Sequence, residues 1–160
     1  MARSFLSYLF VFAVVGGGLY WHYRVPPSLE STEIMVETPS GIRALNELEE
    51  GALLVNFYAS WCGPCMQEIP VLKRANALGN FKVVGVTDDA SEAIAEVAQR
   101  FGVSYPLYRL DRTLDDYGVH SIPTSYLINA EGEVVLSING VREWDSPEFQ
   151  RTALELLSAN

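Results

Sequence analysis

The hydrophobic pattern divides the chain into stretches of different character. Phe5 to Trp21 carries no charged residue and is built mostly of Phe, Leu, Val, Gly, Ala and Tyr. As a helix, these 17 residues span about 26 Å, the short end of a membrane crossing. Tyr20, Trp21 and Tyr23 cluster at its far end, where an aromatic belt meets the lipid–water interface. Residues 24–41 read as a tether. Pro26-Pro27 resists helix, and Ser28, Ser31, Thr32, Pro39, Ser40 and Gly41 add turn character, with Ile34-Met35-Val36 the one candidate for a short added strand.

From residue 42 the pattern alternates between helix and strand. Ala44–Glu50 reads as a short helix, and Leu53–Tyr58 is an apolar run of strand length, suited to a central strand buried on both faces. Cys65–Ala77 reads as a helix that Pro70 should kink, and Phe81–Val86 as a second buried strand. Ser91–Phe101 is helical, with Asp89 and Glu92 at capping-box spacing and Gly102 as the stop. Thr124–Asn129 and Glu133–Ile138 form a hairpin around Ala130-Glu131-Gly132, and Ser146-Pro147 opens a last helix running to about Leu157. This order predicts an α/β domain over 42–160, a mixed sheet with helices on both faces, behind an N-terminal transmembrane helix over 1–23.

Charge sharpens the division. The 160 residues hold 20 acidic and 11 basic groups, a net charge of −9. Arg3 and Arg24 are the only charges in the first 27 residues, which leaves −11 on the remainder. Such a body lacks the basic footprint that nucleic acid requires. Arg3 and the amino terminus ahead of the apolar run favour a cytoplasmic N-terminus and a single-pass signal-anchor, with the domain outside the inner membrane on the periplasmic side. A cleaved signal peptide, using Gly16-Gly17-Gly18, is the alternative and also exports the domain.

The candidate chemistry lies in Trp61-Cys62-Gly63-Pro64-Cys65, which holds both cysteines of the chain. A strand ends just before Cys62 and a helix begins near Gly63, so free N–H groups and the helix dipole favour a thiolate at Cys62. Pro64 lacks an N–H at little cost in a first turn. Cys62 is then the attacking nucleophile and Cys65, one turn further in, the resolving thiol. Half of a metal site and a structural bridge are the competing readings. Against them, His22 and His120 are the only histidines, and a bridge closing so small a loop stabilises little. No metal or cofactor beyond the Cys62–Cys65 redox pair is expected.

Val55–Cys65 resembles the thioredoxin active-site strand and turn. Cys65-Met66-Gln67-Glu68-Ile69-Pro70 and Tyr117-Gly118-Val119-His120-Ser121-Ile122-Pro123-Thr124 are similar to the TlpA/ResA group of membrane-anchored, extracytoplasmic thioredoxin-like proteins. The resemblance implies a thioredoxin-like fold and thiol–disulfide oxidoreductase activity, with protein disulfides as substrates. Apocytochrome c is among the implied substrates, and a membrane thiol protein is the implied electron donor. It makes Pro123 the cis-proline facing the cysteine pair, Ile122 a backbone contact for bound peptide, Trp61 a residue packed on the active-site surface and Glu68 an active-site acid. Independently, Cys65 and Glu68 stand i, i+3 on one helix face, where a carboxylate can relay a proton. Asn56 occupies the place of the buried aspartate of cytoplasmic thioredoxins and cannot take up a proton itself, which shifts that role towards Glu68. Asp88-Asp89 follow a strand and are candidate neighbours of the site. His120 reads as a polar loop residue. A disulfide oxidant or isomerase, and a non-catalytic binding module, are the alternatives.

Overall fold

The computed structural model describes residues 34–159. The apolar run of residues 5–21, and with it the expected anchor and its cleaved alternative, lies outside them. No helix among the described residues is long and apolar enough to cross a membrane.

The first elements correct the tether boundary. β1 (Met35–Thr38) and β2 (Gly41–Ala44) form an antiparallel hairpin, so residues 34–41 belong to the folded domain. Ile34 and Val36 are fully buried, and Val36 bridges to Leu110. The short candidate strand exists, and its partner runs to Ala44, the residue at which a helix was expected to begin. Helix is left only to a single turn, α1 (Leu45–Leu48).

The main sheet has the order β5-β4-β3-β6-β7. β3 (Leu53–Phe57) is its centre, all five residues buried, with β4 (Lys82–Thr87) parallel on one side and β6 (Thr124–Ile128) antiparallel on the other. β5 (Leu107–Arg109) extends the sheet beyond β4, and β7 (Val134–Asn139) pairs antiparallel with β6. β5 escaped the sequence reading because three half-buried residues make too short a periodic signal.

The sheet is flanked by helices unequally. Both β–α–β crossovers run the same way across the sheet, and right-handed connections place their helices on one face. α2 (Gly63–Leu78) and α4 (Pro147–Ser158) cover Leu54, Val83 and Leu127 there, and α3 (Ser91–Phe101) packs beside α2 through Val97 and Phe101. The opposite face, with Val55, Phe57, Val84, Val86, Tyr126 and Ile128, is closed by the hairpin, Leu45, Leu110 and a 3₁₀ turn at Asp115–Tyr117. Burial on both faces explains why the central strands read as continuous apolar runs.

Local signals set the helix ends. Ser146 Oγ accepts the Phe149 N–H at 3.2 Å and Pro147 begins α4. α2 stops at Gly79, whose φ of 76° is the left-handed cap conformation. The N-cap of α3 is Ala90, with no side-chain hydrogen bond, so the expected Asp89 cap is absent.

The strand registers bring four chain connections to one end of the sheet. Phe57 pairs with both Val86 and Thr124, and Thr124 with Asn139. The segments following β3, β4 and β7 and the one preceding β6 therefore meet there. Gly85 sits just behind this end: a Cβ on it would lie 2.5 Å from Leu107 Cδ2 and 3.2 Å from Tyr58 Cε1. Gly85→Ala should destabilise the fold by about 1–3 kcal/mol through overpacking, read as a lower urea midpoint.

Candidate active site

Between β3 and α2 the chain turns through Tyr58–Trp61. Cys62 is the N-cap of α2, with extended φ/ψ of −81° and 106°, and its N–H bonds Ala59 O at 3.0 Å. Its Sγ accepts the Cys65 N–H at 3.2 Å, the place a serine or aspartate oxygen takes in an ordinary cap. Cys62 and Cys65 are joined as a disulfide, with Cα atoms 5.3 Å apart. A thiolate released at Cys62 meets the unpaired N–H groups and positive end of a four-turn helix, which lowers the cost of its charge. Gly63 and Pro64 form the first turn, where the missing proline N–H breaks no ladder bond.

The loops around the pair are tied by the two aspartates that follow β4. Asp89 Oδ2 accepts the Ser60 N–H at 2.6 Å, and Asp88 Oδ2 accepts the Leu114 N–H at 3.1 Å. The carboxylate expected to cap α3 instead anchors the loop that presents Trp61 and Cys62. Opposite the disulfide, the Ile122–Pro123 peptide bond is cis, and Ile122 O lies 3.9 Å from Cys62 Sγ. Thr124 Oγ1 donates to Ser121 O at 2.6 Å, and the Gly140 N–H to Pro123 O at 2.7 Å, which fixes this segment against the end of β7.

Trp61 does not pack down as expected. It is 77% exposed and stands between two shallow depressions. One is walled by Met66, Val97 and Phe101, the other by Leu114, His120 and Ile122. The cysteines beside it are nearly covered, Cys62 5% and Cys65 2% exposed. His120 is exposed and paired with Asp115 Oδ1 at 3.0 Å.

Glu68 is completely buried. Oε1 accepts the Arg142 backbone N–H at 2.9 Å and the Trp144 Nε1–H at 2.6 Å, while Oε2 accepts Asn56 Nδ2–H at 3.2 Å. Asn56 also donates to Ser125 Oγ at 2.9 Å, joining β3 to β6 beneath the helix. Burial pushes the Glu68 carboxyl above the usual glutamate value, and the three donors oppose that rise. Two tyrosines complete the surroundings. Tyr58, which packs against the cysteines, and Tyr105 are raised by burial, Tyr58 further by Asp89 and Tyr105 by Tyr58 and Glu68. Both hydroxyls stay neutral.

The structure thus brings Cys62, Cys65, Glu68, Ile122 and Pro123 to one end of the sheet, with Trp61 at its rim. Sequence reasoning missed Ser125, the Arg142 N–H and Trp144. A tryptophan in the polar stretch Arg142-Glu143-Trp144-Asp145 carries no periodic signal, although its place just before the Ser146-Pro147 helix start was a usable hint.

The comparisons agree with this geometry. The Redoxin family matches residues 36–153. The thiol-disulfide oxidoreductase ResA of Bacillus subtilis is 32% identical over 121 residues, 69% of this chain and 66% of that protein. The thiol:disulfide interchange protein CycY of Rhizobium leguminosarum bv. viciae is 36% identical over 122 residues, 70% of this chain and 66% of that protein. The match thus spans just under two thirds of the length of either relative. Among solved structures, one described as a thiol:disulfide interchange protein DsbE from Chlorobium tepidum superposes with a TM-score of 0.67 at 26% identity, covering 82% of this chain and 97% of that one. The fold is thioredoxin-like, and the chain belongs to the Redoxin family, with ResA and CycY among its homologues.

Proposed function

We propose that this chain is a thiol–disulfide oxidoreductase that exchanges electrons with protein cysteines through Cys62 and Cys65. The observation that carries the reading is the cysteine pair at the N-terminus of α2, with Cys62 Sγ beside the Ile122 carbonyl. In the reducing direction, the Cys62 thiolate attacks one sulfur of a substrate disulfide. That bond breaks, and its electron pair leaves on the second substrate sulfur. Cys65 then gives its proton to the Glu68 carboxylate and attacks Cys62 Sγ. The mixed disulfide breaks with its electron pair on the first substrate sulfur, the Cys62–Cys65 bond forms, and the two substrate thiolates take protons from Glu68 and water to leave a dithiol. The electrons are carried by the cysteine pair itself.

The finer reading is that of a reductant held at the outer face of the inner membrane by residues 1–23. The Gly63-Pro64 dipeptide resembles that of thioredoxin, whose potential is about −270 mV, and the apolar run with its aromatic end supports the anchor. A reductant there draws its electrons from a membrane thiol protein. The haem-attachment cysteines of apocytochrome c are the substrate class suggested by the resemblance to the TlpA/ResA group.

Three measurements test this. The potential of the Cys62/Cys65 couple should lie near the thioredoxin value; one above about −150 mV would mark an oxidant. Cys65→Ser should trap partners as mixed disulfides on Cys62. Captured proteins with no haem-attachment motif would remove the cytochrome role and leave a general reductant. Full biological activity of a chain with Cys62→Ala and Cys65→Ala would make it a binding module.

Glu68→Gln should slow exchange about 100-fold near neutral pH. The same variant reports on stability. Folding raises the Glu68 value, so the folded state holds this proton at pH values where the unfolded chain, at about 4.3, has lost it. Its contribution is complete below the unfolded value and is lost as pH rises through the folded one. Urea unfolding from about pH 4 to about pH 8 should show this decline in the wild type and lack it in Glu68→Gln.

A further inference from the structure

All three groups that reach the Glu68 carboxylate are N–H donors, and they are divided unequally between its oxygens. Oε1 holds the two shorter bonds, from a backbone N–H and an indole N–H, neither of which can accept a proton in return. Oε2 holds one longer bond, from Asn56. Asn56 differs from the other two donors in kind. A half-turn of its amide presents an oxygen, able to accept both an Oε2–H and the Ser125 hydroxyl. The charged form suits Oε1 and the protonated form suits Oε2.

Trp144 is built in firmly enough to hold this arrangement. It is 1% exposed, its ring meets Phe149 edge-on with centroids 4.8 Å apart, and its carbonyl accepts Gln150 Nε2–H at 2.6 Å. The indole is therefore fixed from α4, while the acid it touches sits on α2.

We propose that Trp144 is a positioning residue for the exchange reaction: with the Arg142 N–H it clamps Glu68 Oε1 as the charged oxygen, so that the proton taken from Cys65 is carried on Oε2 against Asn56. This rests on the oxidoreductase reading above. The clamp makes the segment after β7 part of the proton path through its bonds to Glu68. It also keeps Glu68 acidic enough to release its proton despite complete burial. The titratable groups around the carboxyl are Cys65, three residues earlier on its own helix, and Tyr105 from the segment before β5, which interacts with both Glu68 and Tyr58; both tyrosines are neutral. Asn56 and Ser125 are uncharged, and the Arg142 side chain is exposed, so that residue offers only its backbone.

The test uses the full chain, prereduced, with insulin disulfides as substrate, and compares pH–rate profiles. Trp144→Phe removes the N–H and should move the Glu68-dependent midpoint upward by about one pH unit, a tenfold change in proton affinity. The shift should vanish when Trp144→Phe is combined with Glu68→Gln. Benzothienylalanine at position 144 keeps the ring volume and replaces the N–H by sulfur, so it should reproduce the shift even where the smaller Phe perturbs folding. An unchanged midpoint with benzothienylalanine, or an equal shift in the Glu68→Gln background, overturns the proposal. A carbon-13 titration of the Glu68 carboxyl should show the same upward movement without any turnover. It decides the matter separately if the wild type fails to reduce insulin, an outcome that counts against the oxidoreductase reading alone.

Discussion

A carboxylate stripped of water costs several kcal/mol and persists only where hydrogen bonds replace the solvent. At Glu68 that requirement ties together four parts of the molecule. Asn56 comes from β3, Ser125 from β6, Glu68 from α2, and the Arg142 N–H and Trp144 from the segment between β7 and α4. Each must be in place for the acid to be tolerated. The cysteine pair sits one turn away on the same helix, so the scaffold that satisfies the carboxylate also orients the disulfide.

The sheet makes this convergence inevitable. Parallel pairing of β3 with β4, and antiparallel pairing of β6 with β3 and β7, put three strand ends and one strand start at a single edge. Each connection there contributes one part of the site. The turn after β3 supplies the cysteines, and the Asp88–Asp89 pair after β4 ties down two loops. The turn into β6 sets a carbonyl opposite Cys62, and the chain leaving β7 supplies donors to the acid. β3 and β6 are buried along their whole length, while Trp61 and Val141 stand exposed at this end.

Much of this was readable from residue pattern. The central strands stood out because burial on both faces demands continuous apolar runs, and α4 because a serine cap followed by proline is a local signal. Cys62 and Cys65 were legible because a short spacing at a strand-to-helix junction has a direct electrostatic consequence. Other readings failed for identifiable reasons. Asp89 has the right spacing for a cap, but the Ser60 N–H offered a better partner across the fold. Residues 34–41 have the polarity of a tether, yet two buried side chains, Ile34 and Val36, suffice to fasten them to the sheet. β5 is too short for periodicity to reveal.

The sequence alone determined which residues can do chemistry: two thiols at a helix start and an acid one turn on. Those properties depend on residue type and short spacing, which the chain carries with it. Tertiary structure decided that Glu68 is buried, that Trp61 is exposed, and that Trp144, 76 residues along the chain from Glu68, shares a hydrogen bond with it. Pairings over such distances depend on sheet register and helix packing, and these are settled only when the whole core closes.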